Sequence, residues 1–250
     1  MKTIILNEFE HAKEVIRTRD LGENPFFSLV CAGRYYFSQG FRERDVRDRL
    51  RDLANESGAI RWDTVSDRVL AVCKRRPALD IQSIEITEAE IASVKKMEGL
   101  QRQRLLFTLL VLAKHGNRVR EDNDSWVYRE SSALFTLANI SVSKKRQCLY
   151  VNDLMRAGAI RYNDHVNNLD LRVLVIDDTK PVAVSVYEIR DLGYQYMMHL
   201  GLPFFECVSC GALAQKKNNR QKYCTGCATV VNAQKTIERY HKKYGCIASV

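Results

Sequence analysis

The chain has 250 residues, 46% of them hydrophobic and 28% charged, a composition that excludes wholesale disorder and leaves room for one large domain or about two to three small ones. Thirty-nine basic residues against thirty acidic ones give a formal charge of +9, which favours a polyanionic partner. The longest apolar run, residues 105–113, falls short of the roughly 18 residues a bilayer span requires, so no membrane partner is expected.

Residues 7 to about 116 read as helical throughout. A first helix over 7–19 ends near Gly22. Asn24 as N-cap and Pro25 at the first helical position open a second, which runs through Tyr35, Tyr36 and Phe37. Those aromatics read as core or interface, since they share one unbroken helix. Gly40 breaks it, and an amphipathic helix over 42–57 carries Val46, Leu50, Leu53 and Ala54 on one face. A fourth, from Trp62 to Arg76, turns Val65, Val69, Val72 and Cys73 inward. Thr87 and Glu90 form a capping box that opens a long helix to Lys114, with a break near Gly99.

The polar stretch 117–125 reads as a loop. Ser132 caps a short helix through Asn139, and Ser141 or Ser143 caps a third with Cys148, Val151, Leu154 and Met155 inward. Gly158 suits the left-handed position after it. From Ala159 the period becomes alternating, giving strands around 160–162, 169–175 and 182–186, with turns at Asn167-Asn168 and 177–181. A helix over 187–200 leads into a cysteine-bearing end.

Three helices followed by two or three strands is a winged-helix order. The second and third helices form a helix-turn-helix, whose third helix enters a major groove by its N-terminal end. That end carries Lys144, Lys145, Arg146 and Gln147, residue types that contact phosphates and base edges. Arg161 and the wing tip, residues 163–168 with His165, would follow a backbone or minor groove. A Lys-Lys-Arg run is equally a solvated face, and winged helices also dock proteins.

The strongest signal is the pair of C-x-x-C knuckles, Cys207/Cys210 and Cys224/Cys227. Their spacing delivers four soft ligands to one structural Zn²⁺, whereas a dithiol redox site needs only one pair. With all four positions filled by protein, no open coordination site remains for chemistry. Gly211 and Gly226 suit the φ > 0 backbone of such turns. Between the knuckles Lys216, Lys217, Arg220 and Lys222 form a basic loop at the tip of a ribbon. A helix over 228–244 turns Val231, Ile237 and Tyr240 to the zinc core and Lys235, Arg239, Lys242 and Lys243 outward. Loop and helix together resemble a phosphate-tracking surface; a zinc-stapled tail for protein contact is the plainer alternative. Cys31, Cys73 and Cys148 read as small core residues. With no disulfide framework and no secretory signal, a bacterial cytoplasm is the expected compartment.

Residues 104–114 (RLLFTLLVLAK), Leu192-Gly193-Tyr194-Gln195-Tyr196, and the ending Cys-x-x-Cys-Gly…Gln-Lys-Tyr-Cys-x-x-Cys-Ala resemble a family of phage- and prophage-encoded proteins of Gram-positive bacteria. The resemblance spans nearly the whole chain. It implies a mobile-element origin and a zinc ribbon on the four cysteines, and it supplies no activity, partner or catalytic residue.

The expected molecule is therefore α+β, mainly α, in three consecutive parts. These are an N-terminal helical domain (1–99), a winged-helix-like domain (100–202), and a zinc ribbon with a basic helix (203–250). The expected function is nucleic-acid binding, DNA before RNA, in regulation or replication. The alternative is a phage-encoded, anti-CRISPR-like inhibitor that binds a host nucleoprotein effector. No phosphate loop, dinucleotide fingerprint or H-E-x-x-H stands in the sequence, so neither an enzyme nor a small-molecule substrate is expected. Asp177-Asp178 could hold a metal, but a turn is the default for that pair.

Overall fold

The structure is a computed structural model and describes residues 4–128, 130–163 and 170–244, with side chains through 242. Ten α-helices and three small sheets among the described residues make it α+β and mainly helical, as expected. The chain divides into two compact units. One comprises Met1–Ile91, Leu110–Tyr128 and Ile160–Arg190; the other comprises Ala92–Leu109, Arg129–Ala159 and Asp191–Val250.

The first unit opens with α1 (Glu8–Thr18), α2 (Pro25–Ser38), α3 (Glu43–Ser57) and α4 (Trp62–Cys73). Side-chain caps begin the first two: Asn7 accepts from the Glu10 N–H, and Asn24 from that of Phe27. Left-handed residues Arg19 and Gly58 end α1 and α3. The apolar stripe of α3 (Val46, Leu50, Leu53, Ala54) joins Leu29, Val30, Tyr36, Trp62, Val69 and Leu70 in one core. A buried ion cluster sits at the start of α1. The Glu8 carboxylate accepts from Arg34 at 2.8 and 3.0 Å, from Arg76 at 2.6 and 2.8 Å, and from the Leu79 N–H at 3.1 Å.

Beyond the bundle come β1 (Ile84–Thr87), β2 (Trp126–Tyr128), β3 (Ile160–Tyr162), β4 (Asp170–Val173) and β5 (Val182–Val186). β1 pairs antiparallel with β5, Ile84 opposite Val186, and β4 lies between β2 and β3. The expectation that residues 7 to about 116 contain only helices is thus corrected at β1. Ile84-Glu85-Ile86-Thr87 alternates and is β-branched, but its partner lies about a hundred residues on, outside any local window. β5, expected to follow β4 through the turn at 177–181, pairs with β1 instead. The Thr87–Glu90 capping box does form: the Thr87 N–H donates to Glu90 at 2.7 Å and the Glu90 N–H to Thr87 at 3.3 Å.

α5 (Glu88–Lys95) and α6 (Leu100–Val119) flank Gly99, whose φ of +83° marks the expected break. Both helices pass from one unit into the other. The units therefore interleave along the chain and differ from three consecutive parts divided at 99/100 and 202/203.

The second unit contains the start of α6, then α7 (Ser131–Leu137), α8 (Lys144–Arg156), α9 (Leu192–His199), the β6 (Phe204–Glu206) and β7 (Leu213–Gln215) hairpin, and α10 (Thr225–Tyr244). Leu105, Leu106, Leu109, Leu134, Phe135, Leu137, Ile140, Val151 and Leu154 supply buried side chains here. Gly158, at φ +69°, ends α8 as expected. Cys148 is exposed and Met155 half-buried, against expectation, because the inward face of α8 begins only at Val151.

Candidate metal centre and cationic surfaces

The metal-centre candidate is built by a hairpin and a helix start. β6 and β7 pair antiparallel, Glu206 opposite Leu213. The turn beyond them closes through the Cys207 N–H to Ala212 (3.0 Å) and the Gly211 N–H to Cys207 (2.8 Å), with Gly211 at φ +66°. Cys207 and Cys210 are thereby held at the hairpin tip. The chain returns over residues 216–223, tied by the Lys216 N–H to Pro203 (2.8 Å) and the Val208 N–H to Lys222 (3.0 Å). Cys224 then stands immediately before α10, and its Sγ accepts from the Cys227 N–H at 3.4 Å.

The four sulfurs all lie within 4.8 Å of one another, with Cys210 and Cys224 3.8 Å apart. A tetrahedron with metal–sulfur bonds of about 2.3 Å has edges of about 3.8 Å, so the donor set fits one ion. Among the described residues this is the one group of three or more His, Cys, Asp or Glu side chains that can hold a metal. At Cys207 backbone donors favour thiolate: the Cys224 N–H reaches its Sγ at 3.3 Å and, with those of Cys210 and Ser209, brings that thiol down to about 6 against its burial. At Cys227 the lowering hydrogen bond of Ser209 is outweighed by the sulfurs of Cys210, Cys224 and Cys207 together with burial, which push that thiol up to about 12.

Two details of the expected ribbon change. The second pair sits at the start of α10, which begins at Thr225, and Gly226 lies in its first helical turn without a positive φ. Val231 is half-buried, but Ile237 and Tyr240 are 57% and 63% exposed and do not face a zinc core. Three-residue strands reach only about 10 Å, whereas twenty helical residues extend about 30 Å. β6 and β7 are too short to back the whole of α10.

The cationic residues fall on two surfaces of this unit. Around the metal centre, Lys217, Arg220 and Lys222 are exposed and Lys216 is half-buried. The loop holds its own shape through the Lys217 N–H to Gln221 (2.8 Å) and the Arg220 N–H to Asn218 (3.1 Å). On α10, Lys235, Arg239 and Lys242 are exposed, while the side chain of Lys243 lies outside the described residues. At the start of α8, Lys144, Lys145 and Arg146 are exposed. Gln147 is not an outward reader. Its amide accepts from Ser131 Oγ at 3.1 Å and donates to the Val142 carbonyl at 3.4 Å, joining the starts of α7 and α8. Arg161 is exposed on β3, in the other unit. Of the expected wing tip, 163–168, Asn163 is described and its N–H donates to the Asp170 carbonyl at 3.1 Å; the remainder, including His165, lies outside the described residues.

Asp177 accepts from the N–H and hydroxyl of Thr179 at 3.0 and 2.6 Å, and Asp178 pairs with Lys114 at 2.7 Å. The Asp177 carboxylate shapes a turn, and the Asp178 carboxylate ties it to α6. Sequence reasoning missed the contact of α9 with the α7–α8 turn. Asn139, at φ +54°, donates to Asp191 at 2.8 Å and accepts from the Tyr194 N–H at 3.1 Å. Arg104 donates to the carbonyls of Ala138 and Asn139. The signal available was the Asn itself, a residue that tolerates the left-handed region between two helices.

Among the described residues no helix is long and apolar enough to cross a membrane. No protein-family model matches the chain, and no curated protein or solved structure matches it significantly.

Proposed function

We propose that the chain is a zinc-containing nucleic-acid-binding protein of a phage or related mobile element, regulatory or replication-associated, working in the bacterial cytoplasm. The observation that carries this reading is the four-thiol cluster at the base of a self-braced loop whose Lys217, Arg220 and Lys222 point to solvent. Zinc is the ion of choice for four cysteines closed into a tetrahedron. It fixes the loop and the start of α10 without leaving a coordination site for substrate. Fixed cations bind phosphates at a smaller entropic cost than mobile ones. We read α7, its turn and α8 as a helix-turn-helix that presents Lys144, Lys145 and Arg146. That reading favours duplex DNA over RNA.

The test is fluorescence anisotropy of a labelled duplex titrated with the zinc-loaded protein at several salt concentrations. Binding that weakens linearly in log–log form with salt supports the proposal. No binding at low salt overturns it.

A second reading has an observation of its own. Leu149, four residues after Lys145 on α8, is 50% exposed on the same helix face, where a protein partner would cover it. On that reading the chain inhibits a host nucleoprotein defence effector. Co-purification of that effector, with feeble affinity for naked DNA, distinguishes it.

A further inference from the structure

α10 outruns its support: every residue from Asn232 to Lys242 is exposed, three helical turns past half-buried Val231. An isolated helix of that length is marginal in water, and this one carries an apolar seam. Val230, Ala233, Ile237 and Tyr240 recur at spacings of three, four and three, with Val230, Ile237 and Tyr240 61%, 57% and 63% exposed. That is the a/d spacing of a two-stranded coiled coil. The flanking e and g positions hold Thr229, Gln234, Thr236, His241 and, at the last g, Lys243, while Lys235, Glu238, Arg239 and Lys242 fall on b, c and f, away from the seam.

We infer that this seam pairs with the same helix of a second copy of the chain, antiparallel, about a two-fold axis near residue 235. The one charged flank, Lys243, falls level with Thr229 of the other copy in this register, so two identical helices approach without like-charge repulsion along the seam. Residue size sets the direction. The N-terminal seam residues, Val230 and Ala233, are small, and the C-terminal ones, Ile237 and Tyr240, are large. Antiparallel pairing sets Val230 against Tyr240 and Ala233 against Ile237 in every layer. Parallel pairing would stack Ala on Ala and Tyr on Tyr, leaving a void at one end and crowding at the other. The arrangement is isologous and closes as a dimer. The seam is short, below the area of a standard stable interface, so the dimer depends on concentration. Lys235, Arg239 and Lys242 stay outward on both copies.

Sedimentation equilibrium of the full chain over a wide concentration range tests this. The mass should rise from 28.8 kDa toward twice that value, and Ile237→Glu should hold it at the monomer. In the antiparallel register the two copies of Thr236 face each other across the axis. Thr236→Lys and Thr236→Glu should therefore each weaken self-association, and an equimolar mixture of the two variants should restore it. Thr236 is exposed, so neither change threatens the fold. A wild-type chain that stays monomeric throughout, or an Ile237→Glu variant that associates as well as wild type, overturns the proposal. Failure of the mixture to restore association overturns the antiparallel register.

Discussion

Gly193 faces the carbonyl of Ala138 so closely that a Cβ at that position would sit 1.9 Å from the oxygen and 2.8 Å from Nε of Arg104. The start of α9 is thereby seated on the turn between α7 and α8, where Asn139 already bonds Asp191 and Tyr194. A methyl group there has backbone, not a flexible side chain, in its way. Gly193→Ala should destabilise the protein by about 1–3 kcal/mol or more, read as a lower urea midpoint with an unchanged slope. Gly226→Ala is the contrasting case: it has nothing within 4 Å and lies in the first turn of α10, so that variant should be neutral or slightly more stable.

Glu8 predicts a pH dependence. Burial works to raise its pKa, but the hydrogen bonds and charge of Arg76, the charge of Arg34 and the Leu79 N–H outweigh it and hold the carboxyl below its ordinary value. A depressed carboxyl contributes stability that is full above the unfolded value of about 4.3 and is lost as pH falls through the folded one. Glu8→Gln leaves two arginines without their shared anion and should cost about 3–5 kcal/mol at pH 7, close to the cost of breaking a buried pair. The variant should also lose stability less steeply than wild type on acidification below about pH 5, a difference that urea titrations at several pH values would show.

The two cationic surfaces predict separable binding defects. Replacing Lys144, Lys145 and Arg146 together by Ala should weaken duplex binding and lower the salt slope by up to about 0.9 for each phosphate that is no longer neutralised. Lys217→Ala with Arg220→Ala should do the same while leaving the metal content unchanged. Gln147→Ala should instead lower thermal stability, since its amide joins the starts of α7 and α8. Anisotropy and thermal melts on the same samples separate these outcomes.

Metal loss should act on structure before it acts on binding. Cys224 both caps α10 and supplies a sulfur, so Cys224→Ser should release the ion and melt the hairpin and the helix start together. Structural zinc contributes on the order of 10 kcal/mol or more to such a module, far beyond what two three-residue strands supply. Circular dichroism should show reduced helicity, and a strong chelator should reproduce the change in the wild-type chain.

Where local chemistry decides, the sequence was readable. Asn24-Pro25, the Thr87–Glu90 box, the break at Gly99 and the end of α8 at Gly158 all stand where their residue types put them. The four cysteines likewise converge as their spacing requires. What escaped was non-local. β1 is four residues long and is defined by a strand about a hundred residues away, so its Ile-Glu-Ile-Thr alternation was submerged in helical surroundings. Gly193 carries no side chain to advertise its approach to Ala138. Ile237 and Tyr240 lie on a part of α10 that no other described element covers, which periodicity alone does not reveal. Gln147 has the chemistry of a base reader, and only its neighbours Ser131 and Val142 show that its amide is spent inside the fold.

The central claim is that Cys207, Cys210, Cys224 and Cys227 close around one zinc ion and so shape the cationic loop and helix. X-ray absorption at the zinc edge, with metal content measured on the same sample, tests it most directly. One zinc per chain, surrounded by four sulfurs at about 2.3 Å, is the predicted result. A folded chain that carries no zinc, or a zinc bound by fewer than four sulfurs, would contradict it.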